Sequence, residues 1–581
     1  MVQPFSFCDA QRSSSQGARI LGTKAGENRP AGWGVRRCLI VVALALVGCS
    51  DNAPPNADLP DAVPPPLPGV APEACGQGFV ADGKQGCAPV LPAEDCPFGQ
   101  MAVPGETQCH EVAPCGDGTW GDIPVEANTQ FVDRAYLGND SDGTQAKPWT
   151  TIGQGVKAAA SSAIVAIAAG LYAEDVLIQG KPVRLWGRCP AMVEVSGAGV
   201  KESSIRVIEP AASGAEIHGI AVTGALSGIQ VNAATDVMIE NVWVHDVGLR
   251  GLDISFASNA LNALTNPTVR NSLFEQNHQW GVKSYGGDAT IEFTVVRTTA
   301  DPASGYGGIG IQHPGGATDW KPKLTLRGSL VERNENQGVW VMGAEVTIEA
   351  TVVRGNLPLF GGGGSGIMLQ THWGNHTRAD VTIRGCVVEQ NHDAGVVVIG
   401  SDATIEATVV RANLPRAAGP SGYGVFVEDY LETKQRANVT LHGCLVEQNH
   451  EAGISVFNSD ATIETTIVRD TEPNDAKAFG DGISVRLGNA WIKDTEITHN
   501  ARAGVANFGS HIAITRGAYL CNAFNIEGEV VDATKYSFEG TSGWRCGRAK
   551  PEECAMVDAQ CTVVTDGIEP PAPLSSDPPM P

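Results

Sequence analysis

An all-β fold of stacked coils is predicted by two repeated phrases and by their spacing. The longer phrase reads TVRNSLFEQNHQWG at 268–281, TLRGSLVERNENQG at 325–338, TIRGCVVEQNHDAG at 382–395 and TLHGCLVEQNHEAG at 440–453. A shorter phrase alternates with it and reads ATIEFTVVR at 289–297, VTIEATVVR at 346–354, ATIEATVVR at 403–411 and ATIETTIVR at 461–469. Short β-branched stretches at such regular intervals are typical of a solenoid, whose repeats bury their apolar faces by stacking.

A column of polar residues follows the apolar stretches and sets the coil length. Its members are Asn277, Thr299, Asn334, Asn356, Asn391, Asn413, Asn449, Thr471 and Asn500, separated by 22, 35, 22, 35, 22, 36, 22 and 29 residues. A catalytic residue is unique, whereas this column repeats at every coil. We therefore interpret its Asn side chains as partners of local backbone groups at tight turns.

Charged residues predict the register of neighbouring coils. Two positions before the column the sign alternates through Glu275, Arg297, Glu332, Arg354, Glu389, Arg411, Glu447 and Arg469. Seven positions before it the opposite phase runs through Arg270, Glu292, Arg327, Glu349, Arg384, Glu406, His442 and Glu464. A slip by one coil would place like charges opposite each other, which destabilises the pairing. We assign both ladders to register and stability.

The segment before the repeats resembles a known group of proteins. FVDRAYLGNDSDGTQAKPWTTIGQGVKAAA at 131–160 and AIVAIAAGLYAEDVLIQGKPVRLWG at 163–187 look like the N-terminal cap and first coils of the pectate-lyase-like superfamily. The resemblance implies a right-handed parallel β-helix, which we expect to occupy residues 129–525 with about 13 coils. It also implies a short helix from Trp149 to about Ser161 that closes the open end of the solenoid.

The first residues predict export and lipid attachment. Arg36 and Arg37 precede LIVVALALV at 39–47, which is far shorter than the roughly 20 residues of a membrane-spanning helix. The stretch ends in Leu46-Val47-Gly48-Cys49, which resembles the lipobox of bacterial lipoproteins. This implies a signal peptide at 1–48, with a mis-started extension at 1–34, and a lipid on Cys49 that anchors the chain to the cell envelope, with the outer membrane or cell surface favoured.

A Pro-rich, acidic spacer at 49–72 follows the signal, and cysteines follow the spacer. Ten of them are expected in disulfides, because exported proteins are oxidised: Cys75, Cys87, Cys96, Cys109, Cys115, Cys189, Cys521, Cys546, Cys554 and Cys561. Two similar small loops favour Cys75 with Cys87 and Cys96 with Cys109, and Cys115 would then pair with Cys189, although other connectivities stay open. The sequence thus predicts a Cys-rich module at 73–128 and a Cys-containing cap with a Pro-rich tail at 526–581. Cys386 and Cys444, two coils apart in one column, are expected as buried free thiols.

Charge and motif content limit the partners and cofactors. The net charge is −24, and removal of the signal, which carries +4, leaves −28. Such a surface repels nucleic acid, so we expect none as a partner. We expect no metal or other cofactor. Calcium is a weak alternative at Asp140-Ser141-Asp142-Gly143, where a turn is favoured because Thr151 stands where a calcium loop would carry its Glu.

Three insertions that lengthen every second coil carry the residues best suited to a ligand. They are HPGGATDWKPK at 313–323, THWGNHTRAD at 371–380 and DYLETKQRAN at 429–438, and we expect them to stack on one side of the solenoid. Aromatic rings suit sugar rings, and acids suit hydroxyl groups. The candidate glycan-binding residues are Trp320, Trp373, Tyr430, Asp319, His372, Asp429 and Glu432. Packing of each aromatic against its own loop is the alternative interpretation.

Two classes of function follow from these features. The first is a cell-envelope lipoprotein that acts as a non-catalytic scaffold or glycan-binding module. The second is a polysaccharide lyase, hydrolase or epimerase with its site in the loops at 313–438. The resemblance implies calcium ligands with an Arg or Lys base in lyases, and paired carboxylates in hydrolases. No compact acidic cluster on neighbouring coils is evident in the sequence, so the first class is favoured.

Overall fold

Each coil contributes three short strands, which stack in parallel into three faces. The computed structural model describes residues 75–256, 264–300, 307–316, 320–359, 363–416, 421–474, 477–540, 544–546, 563–564 and 570. Faces 1 and 2 are joined in one 29-stranded sheet, and face 3 is a 15-stranded sheet. Stacked valine, isoleucine and leucine side chains fill the space between the faces. These residues favour strands because their branched side chains pack well on a pleated surface.

Face 1 begins each coil. Its strands are Gln130–Val132, Ile164–Ile167, Arg184–Gly187, Glu216–His218, Thr235–Glu240, Asn266–Arg270, Ala289–Glu292, Lys323–Arg327, Glu345–Glu349, Asp380–Arg384, Asp402–Glu406, Asn438–His442, Asp460–Glu464, the first halves of Asn489–Thr498 and His511–Leu520, and Ser537–Gly540. The last two long strands continue from face 1 into face 2 without a break.

Face 2 follows after a short turn. Its strands are Gly170–Ala173, Val193–Ser196, Ala221–Gly224, Trp243–Val247, Leu273–Glu275, Val295–Arg297, Leu330–Glu332, Val352–Arg354, Val387–Glu389, Val409–Arg411, Leu445–Glu447, Ile467–Arg469, the second halves of Asn489–Thr498 and His511–Leu520, and Trp544–Cys546. Most have three residues, of which the middle one points into the core.

Face 3 completes the coil. Its strands are Val176–Gln179, Ser203–Ile208, Ser227–Asn232, Arg250–Ser255, Trp280–Tyr285, Ile309–Gln312, Gln337–Met342, Ser365–Gln370, Ala394–Ile399, Tyr423–Glu428, Ala452–Phe457, Asp481–Arg486, Ala503–Phe508, Phe524–Glu529 and Val563–Val564. Outside the three faces lie two hairpins, Phe79–Ala81 with Cys87–Pro89 and Gln100–Met101 with His110–Glu111, and a 3-10 turn, Pro210–Ala212.

The predicted all-β solenoid is confirmed, but its extent was underestimated. Face 3 has 15 strands, and therefore 15 coils, where about 13 were expected. The expected end at residue 525 is also too early, because Ser537–Gly540, Trp544–Cys546 and Val563–Val564 pair with the preceding strands of the same faces. The two repeated phrases end before this last coil, so the repeat pattern does not reveal it.

The cap helix is shorter than predicted and spans Ile152–Ala158. Thr151 ends the extended backbone, because its hydroxyl accepts from the Gln154 N–H and the Gln154 side chain accepts from the Thr151 N–H, which together form a capping box. Trp149 stays extended and bonds to Phe131 through its backbone. In the described part of the chain no helix is long and apolar enough to cross a membrane.

The Asn column lies inside the solenoid and joins neighbouring coils. The Asn391 amide nitrogen donates to the Val353 carbonyl, 3.0 Å away, and the Asn391 backbone N–H donates to the side-chain oxygen of Asn413. Asn356 repeats this contact with Asn391, and Asn413 repeats it with Asn449. The partners thus lie on adjacent coils, whereas the sequence interpretation placed them within one turn. Each side chain satisfies buried backbone groups at the corner between faces 2 and 3.

The charge ladders pair Arg with Glu across one 22-residue step. On face 2 Arg297 bonds to Glu275, Arg354 to Glu332, Arg411 to Glu389 and Arg469 to Glu447, with N–O distances of 2.6 to 2.9 Å. On face 1 Arg270 bonds to Glu292, Arg327 to Glu349 and Arg384 to Glu406, at 2.6 to 2.8 Å. The arginines of the face 1 pairs are about half-exposed, whereas both members of the Glu275–Arg297 pair are buried.

The outer side of face 2 is covered by the N-terminal module, defined here as residues 75–112. Phe79, Met101, Val103 and Val112 of the module pack against the first residue of successive face 2 strands. This outer column comprises Leu273, Val295, Leu330, Val352, Val387, Val409, Leu445 and Ile467, which are at most 4% exposed. The sequence predicts a separate Cys-rich module at 73–128 and does not predict this contact.

Disulfides and ladder residues hold the N-terminal module in place. Cys75–Cys87 and Cys96–Cys109 close its two hairpins, and Cys115–Cys189 joins the segment that follows to the first coils, as predicted. The Arg297 guanidinium donates to the carbonyls of Pro97 and Gln100. At the far end Arg469 donates to the Lys84 carbonyl. The ladder on face 2 therefore binds the module's backbone in addition to setting register.

The remaining cysteines divide into two groups. Cys386 and Cys444 are buried free thiols, as expected, and burial raises the pKa of each to about 12. Cys521 is disulfide-bonded. The side chains of Cys546, Cys554 and Cys561 lie outside the described residues, as does Cys49, so their bonding stays a prediction.

Candidate functional site

The outer side of face 3 changes character along the solenoid. One outward-facing column reads Gln230, Asp253, Lys283, Gly310, Trp340, Met368, Val397 and Phe426 in consecutive coils. The first three side chains are polar, and the last four are apolar. A cavity of about 400 Å³ lies where the two kinds meet, lined by Arg250, Asp253, Ser255, Trp280, Lys283, Tyr285, Gln312, Trp340 and Trp373.

Tryptophan rings form one side of this cavity. Trp280 and Trp340 lie two coils apart with parallel rings, whose centroids are 5.7 Å from each other. Gly310 stands between them, and a Cβ at that position would lie 2.5 Å from the Trp280 ring, so a glycine is required there. Trp373 extends the aromatic surface, with its ring centroid 6.5 Å from that of Trp340. Such surfaces suit the CH faces of sugar rings.

Lys283 is the central polar group of the cavity. Its Nζ lies 4.7 Å from the Trp280 ring centroid and 5.2 Å from that of Trp340, and it donates to Gln312 Oε1 at 3.0 Å. Burial lowers the pKa of Lys283 to about 7, and the positive charge of Arg250 acts in the same direction. The amine therefore loses its proton near neutral pH.

Asp253 and Arg250 complete the polar part of the cavity. Arg250 Nη1 donates to Asp253 Oδ2 at 2.9 Å, while burial raises the pKa of Asp253. Among the described residues neither Asp253 Oδ1 nor Arg250 Nε has a hydrogen-bond partner, although both are buried. An unpaired buried polar atom is costly, so both atoms offer bonding capacity to a ligand.

Two of the three insertions stack beside the cavity, as expected. The His313 and His372 rings lie 5.5 Å apart, and His372 stacks on Trp373 at 5.3 Å. His372 supports its own loop, because Nδ1 accepts from the Gly374 and Asn375 N–H groups. Burial lowers the pKa of His372. Of the predicted glycan-binding residues, Trp373 lines the cavity, and His372 stacks on Trp373 and holds that ring in position.

The other predicted residues lie elsewhere. Tyr430 packs against the apolar part of face 3, and its hydroxyl donates to Glu432 at 3.0 Å. Asp429 is buried directly after the strand Tyr423–Glu428, and Trp320 is half-buried in the first insertion. None of these residues is part of the described cavity lining. Asp319 lies outside the described residues.

Sequence reasoning missed Arg250, Asp253, Trp280, Lys283 and Trp340, although a signal was present. When the coils are aligned on Gly281, Gly338 and Gly395, Lys283 matches Trp340 and Val397. Among these three aligned coils Lys283 is a cation where the other two carry apolar residues, which is a departure from the repeat. The candidate residues were drawn from the insertions and the charge ladders, so these strand residues were not among them. Within the described residues no group of three or more His, Cys, Asp or Glu side chains could hold a metal ion.

The fold is also found in known proteins. A family model described as "Right handed beta helix region" matches residues 207–460. This match agrees with the parallel β-helix that the strand pairing shows. No curated protein matches it.

Three similar solved structures are of enzymes whose names refer to polysaccharides. The catalytic unit of the GH87 alpha-1,3-glucanase from Streptomyces thermodiastaticus strain HF3-3 is 13% identical, with a TM-score of 0.44 over 77% of this chain and 71% of that one. Pectate lyase Pel9A is 12% identical, with a TM-score of 0.26 over 73% and 78%. The periplasmic alginate epimerase AlgG is 11% identical, with a TM-score of 0.31 over 66% and 79%. At these values the similarity carries no argument about function.

Proposed function

We propose that the chain is an exported carbohydrate-binding protein whose site is the face 3 cavity. The observation that supports this most strongly is the set of three tryptophans, Trp280, Trp340 and Trp373, around polar groups that have free bonding capacity. Tryptophan supplies a rigid apolar surface for a sugar ring. Asp253 and Gln312 supply acceptors for its hydroxyl groups.

The residues that line the cavity differ from coil to coil, whereas a face with a purely structural role can repeat the same residues. Face 2 carries the same residue types at each coil, whereas Lys283, Gly310 and Trp340 succeed one another in one column of face 3. Buried polar groups without partners reduce stability, so retaining them favours a binding role.

Binding is tested with a panel of neutral and uronic-acid oligosaccharides and the exported chain. Trp373→Ala should weaken binding of the preferred oligosaccharide about tenfold or more, because one stacking surface is lost. Trp491→Ala is the matched control, since Trp491 is a half-exposed tryptophan on face 1. Equal effects of the two changes, or no binding across the panel, would contradict the proposal.

A second candidate function is favoured by Lys283. An amine that is neutral near pH 7 can take a proton from a sugar carbon next to a carboxylate, as a lyase or epimerase requires. The test is to incubate uronic-acid polysaccharides with the chain and follow their size and the absorbance of new double bonds. Turnover that Lys283→Met abolishes, with binding retained, would establish this function. Unchanged polysaccharides across the panel would exclude the lyase or epimerase activity, and carbohydrate binding would remain the proposed function.

Attachment to the cell envelope through Cys49 is part of the proposal. The disulfides fit an exported protein, and the lipobox-like Leu46-Val47-Gly48-Cys49 with its Pro-rich spacer supports a lipid anchor. Cys49→Ser should move the protein from the membrane fraction to the soluble fraction. Retention of the Cys49→Ser variant in the membrane fraction would count against the anchor. Because the anchor is distant in sequence from the cavity, binding of oligosaccharides should be unchanged.

A further inference from the structure

Lys283 differs from the exposed lysines of the chain in its surroundings. It is 7% exposed, and its Nζ has one hydrogen-bond acceptor, Gln312 Oε1, together with the two Trp ring faces. Within the part of the chain that the structure describes, Lys283 makes no ion pair. Lys147 and Lys323, by contrast, are exposed and bound to Asp140 and Glu345. The Lys283 amine thus faces the cavity without an ion-paired carboxylate, and the carboxylate of Asp253 in the same lining is bonded to Arg250.

The charged groups around Lys283 act against the protonated form. Arg250 and Asp253 lie on the preceding coil, and His372 lies in the loop beside the cavity. The Arg250 guanidinium disfavours a second positive charge, whereas Asp253, whose own pKa is raised by burial, favours it. Burial is the largest influence, and a substantial share of the amine is neutral at pH 7. A neutral, desolvated amine is a nucleophile.

The cavity is closed on its C-terminal side. Beyond Trp340 the outer column of face 3 continues with Met368, Val397 and Phe426, which are at most 8% exposed. These side chains belong to one packed apolar cluster with Trp340, and Trp373 packs against it. A linear ligand cannot pass along face 3 through this cluster. The cavity therefore fits the end of a chain better than its middle.

We propose that Lys283 captures an aldehyde, and specifically the open-chain reducing end of a saccharide, as an imine. The identity of the ligand rests on the proposed carbohydrate-binding function. In the reaction the Nζ lone pair forms a bond to the aldehyde carbon, and a nitrogen-bound proton passes to the former carbonyl oxygen. The resulting carbinolamine loses water, and a C=N bond remains. No oxidant or reductant is needed, and hydrolysis reverses the reaction.

The imine is tested by reductive trapping on the full exported chain. Maltohexaose and cellohexaose are each added with cyanoborohydride at pH 7, and the modified lysines are identified by peptide mass spectrometry. The same sugars with the reducing end converted to an alditol serve as matched controls. We expect saccharide addition at Lys283, about tenfold faster than at any exposed lysine, and none with the alditols. The trapping rate should rise with pH around 7, whereas that of an exposed lysine should rise only near 10.

Variants and a small probe separate this proposal from the proposed function. Lys283→Arg keeps the positive charge but forms no imine under these conditions, and circular dichroism shows whether it folds. Binding of the alditols without trapping of the aldehydes at Lys283 would overturn the imine and leave carbohydrate binding intact. If neither sugar form binds, glycolaldehyde with cyanoborohydride still tests the amine. Uniform labelling of all lysines by glycolaldehyde would overturn the proposal, and preferential labelling of Lys283 would support it.

Discussion

Faces 2 and 3 are built from the same coils, yet their outer surfaces differ in repetition. From Leu273 to Arg469 face 2 repeats an aliphatic residue and an Arg or Glu at each coil, and the N-terminal module covers it. Face 3 loses its repetition between Arg250 and Trp340 and keeps a cavity there. In this solenoid, the face whose outer residues repeat is stacked and covered by the module. The face whose outer residues differ from coil to coil carries the polar groups that are free to bond to a ligand.

The comparison is sharpest at Glu275, where the largest effect is expected. Its carboxylate accepts from Arg297, from the Trp243 indole and from the Gly99 N–H of the N-terminal module. Glu275→Ala leaves a buried cation unpaired, so we expect a loss of about 3–5 kcal/mol in the free energy of unfolding. Thermal unfolding measures the loss of stability, and hydrogen exchange over residues 95–101 shows whether the N-terminal module is released.

Glu349→Ala is the matched control for Glu275→Ala. Glu349 occupies the ladder of face 1, where Arg327 is half-exposed, and such pairs contribute about 1 kcal/mol or less. A loss at Glu349 as large as that at Glu275 would show that coverage by the N-terminal module does not distinguish the two ladders.

A smaller effect is expected in the Asn column. Asn391→Ala removes the side-chain bonds to Val353 and Asn356 of the preceding coil and to the Asn413 side chain of the next, and should cost about 1–3 kcal/mol of unfolding free energy. Asn391→Thr should cost less, because Thr299 and Thr471 occupy the same column in other coils. Chemical denaturation of both variants measures the difference. The account of the column is wrong if the Ala variant is as stable as the original chain.

Glu451, on the edge of face 3, is expected to make the free energy of unfolding depend on pH. Burial raises the pKa of Glu451 to about 7, and Tyr423 lies 3.0 Å from its Oε1. Because the folded state holds this proton more tightly, its stabilisation is complete below the unfolded pKa of about 4.3 and declines as pH rises to about 7. The decline is at most about 1.4 kcal/mol per pH unit for one proton.

Glu451→Gln imitates the protonated carboxyl and should remove this contribution to the decline. Unfolding free energies of both chains at about pH 5 and about pH 7 provide the test. Glu472→Gln is the control, since Glu472 is largely exposed. An unchanged pH slope in Glu451→Gln would mean that the buried carboxyl does not titrate as its surroundings indicate.

The sequence predicted features that repeat or that are local. Spacing predicts the coil and both ladders, because stacking makes position in the coil equivalent to position in space. Local sequence predicts the three disulfides near the N-terminus and the insertion that carries His372. Docking of the N-terminal module was not predictable in this way. Leu273 and Val295 of the outer column carry the same residue types as the core, and nothing in the local pattern distinguishes a covered outer side from the interior.

The candidate site was predicted only in part, for a related reason. Trp373 and His372 stand out because they occur in an insertion, whereas Asp253 and Lys283 occupy ordinary strand positions. Their proximity depends on the register of neighbouring coils, which the structure supplies. The C-terminal end of the solenoid was missed because the repeated phrases end before its last coil, and the cap helix was overextended because the Thr151 capping box was not recognised.

The central claim is that the ligand site is the face 3 cavity and not the covered face 2. Hydrogen exchange of the full chain, with and without a saturating amount of the oligosaccharide that binds best in the panel, tests it directly. The account predicts slower exchange in residues 280–285, 309–312, 337–342 and 371–376 and no change in residues 79–111. Protection confined to residues 79–111, or to the ladder strands of face 2, would contradict it.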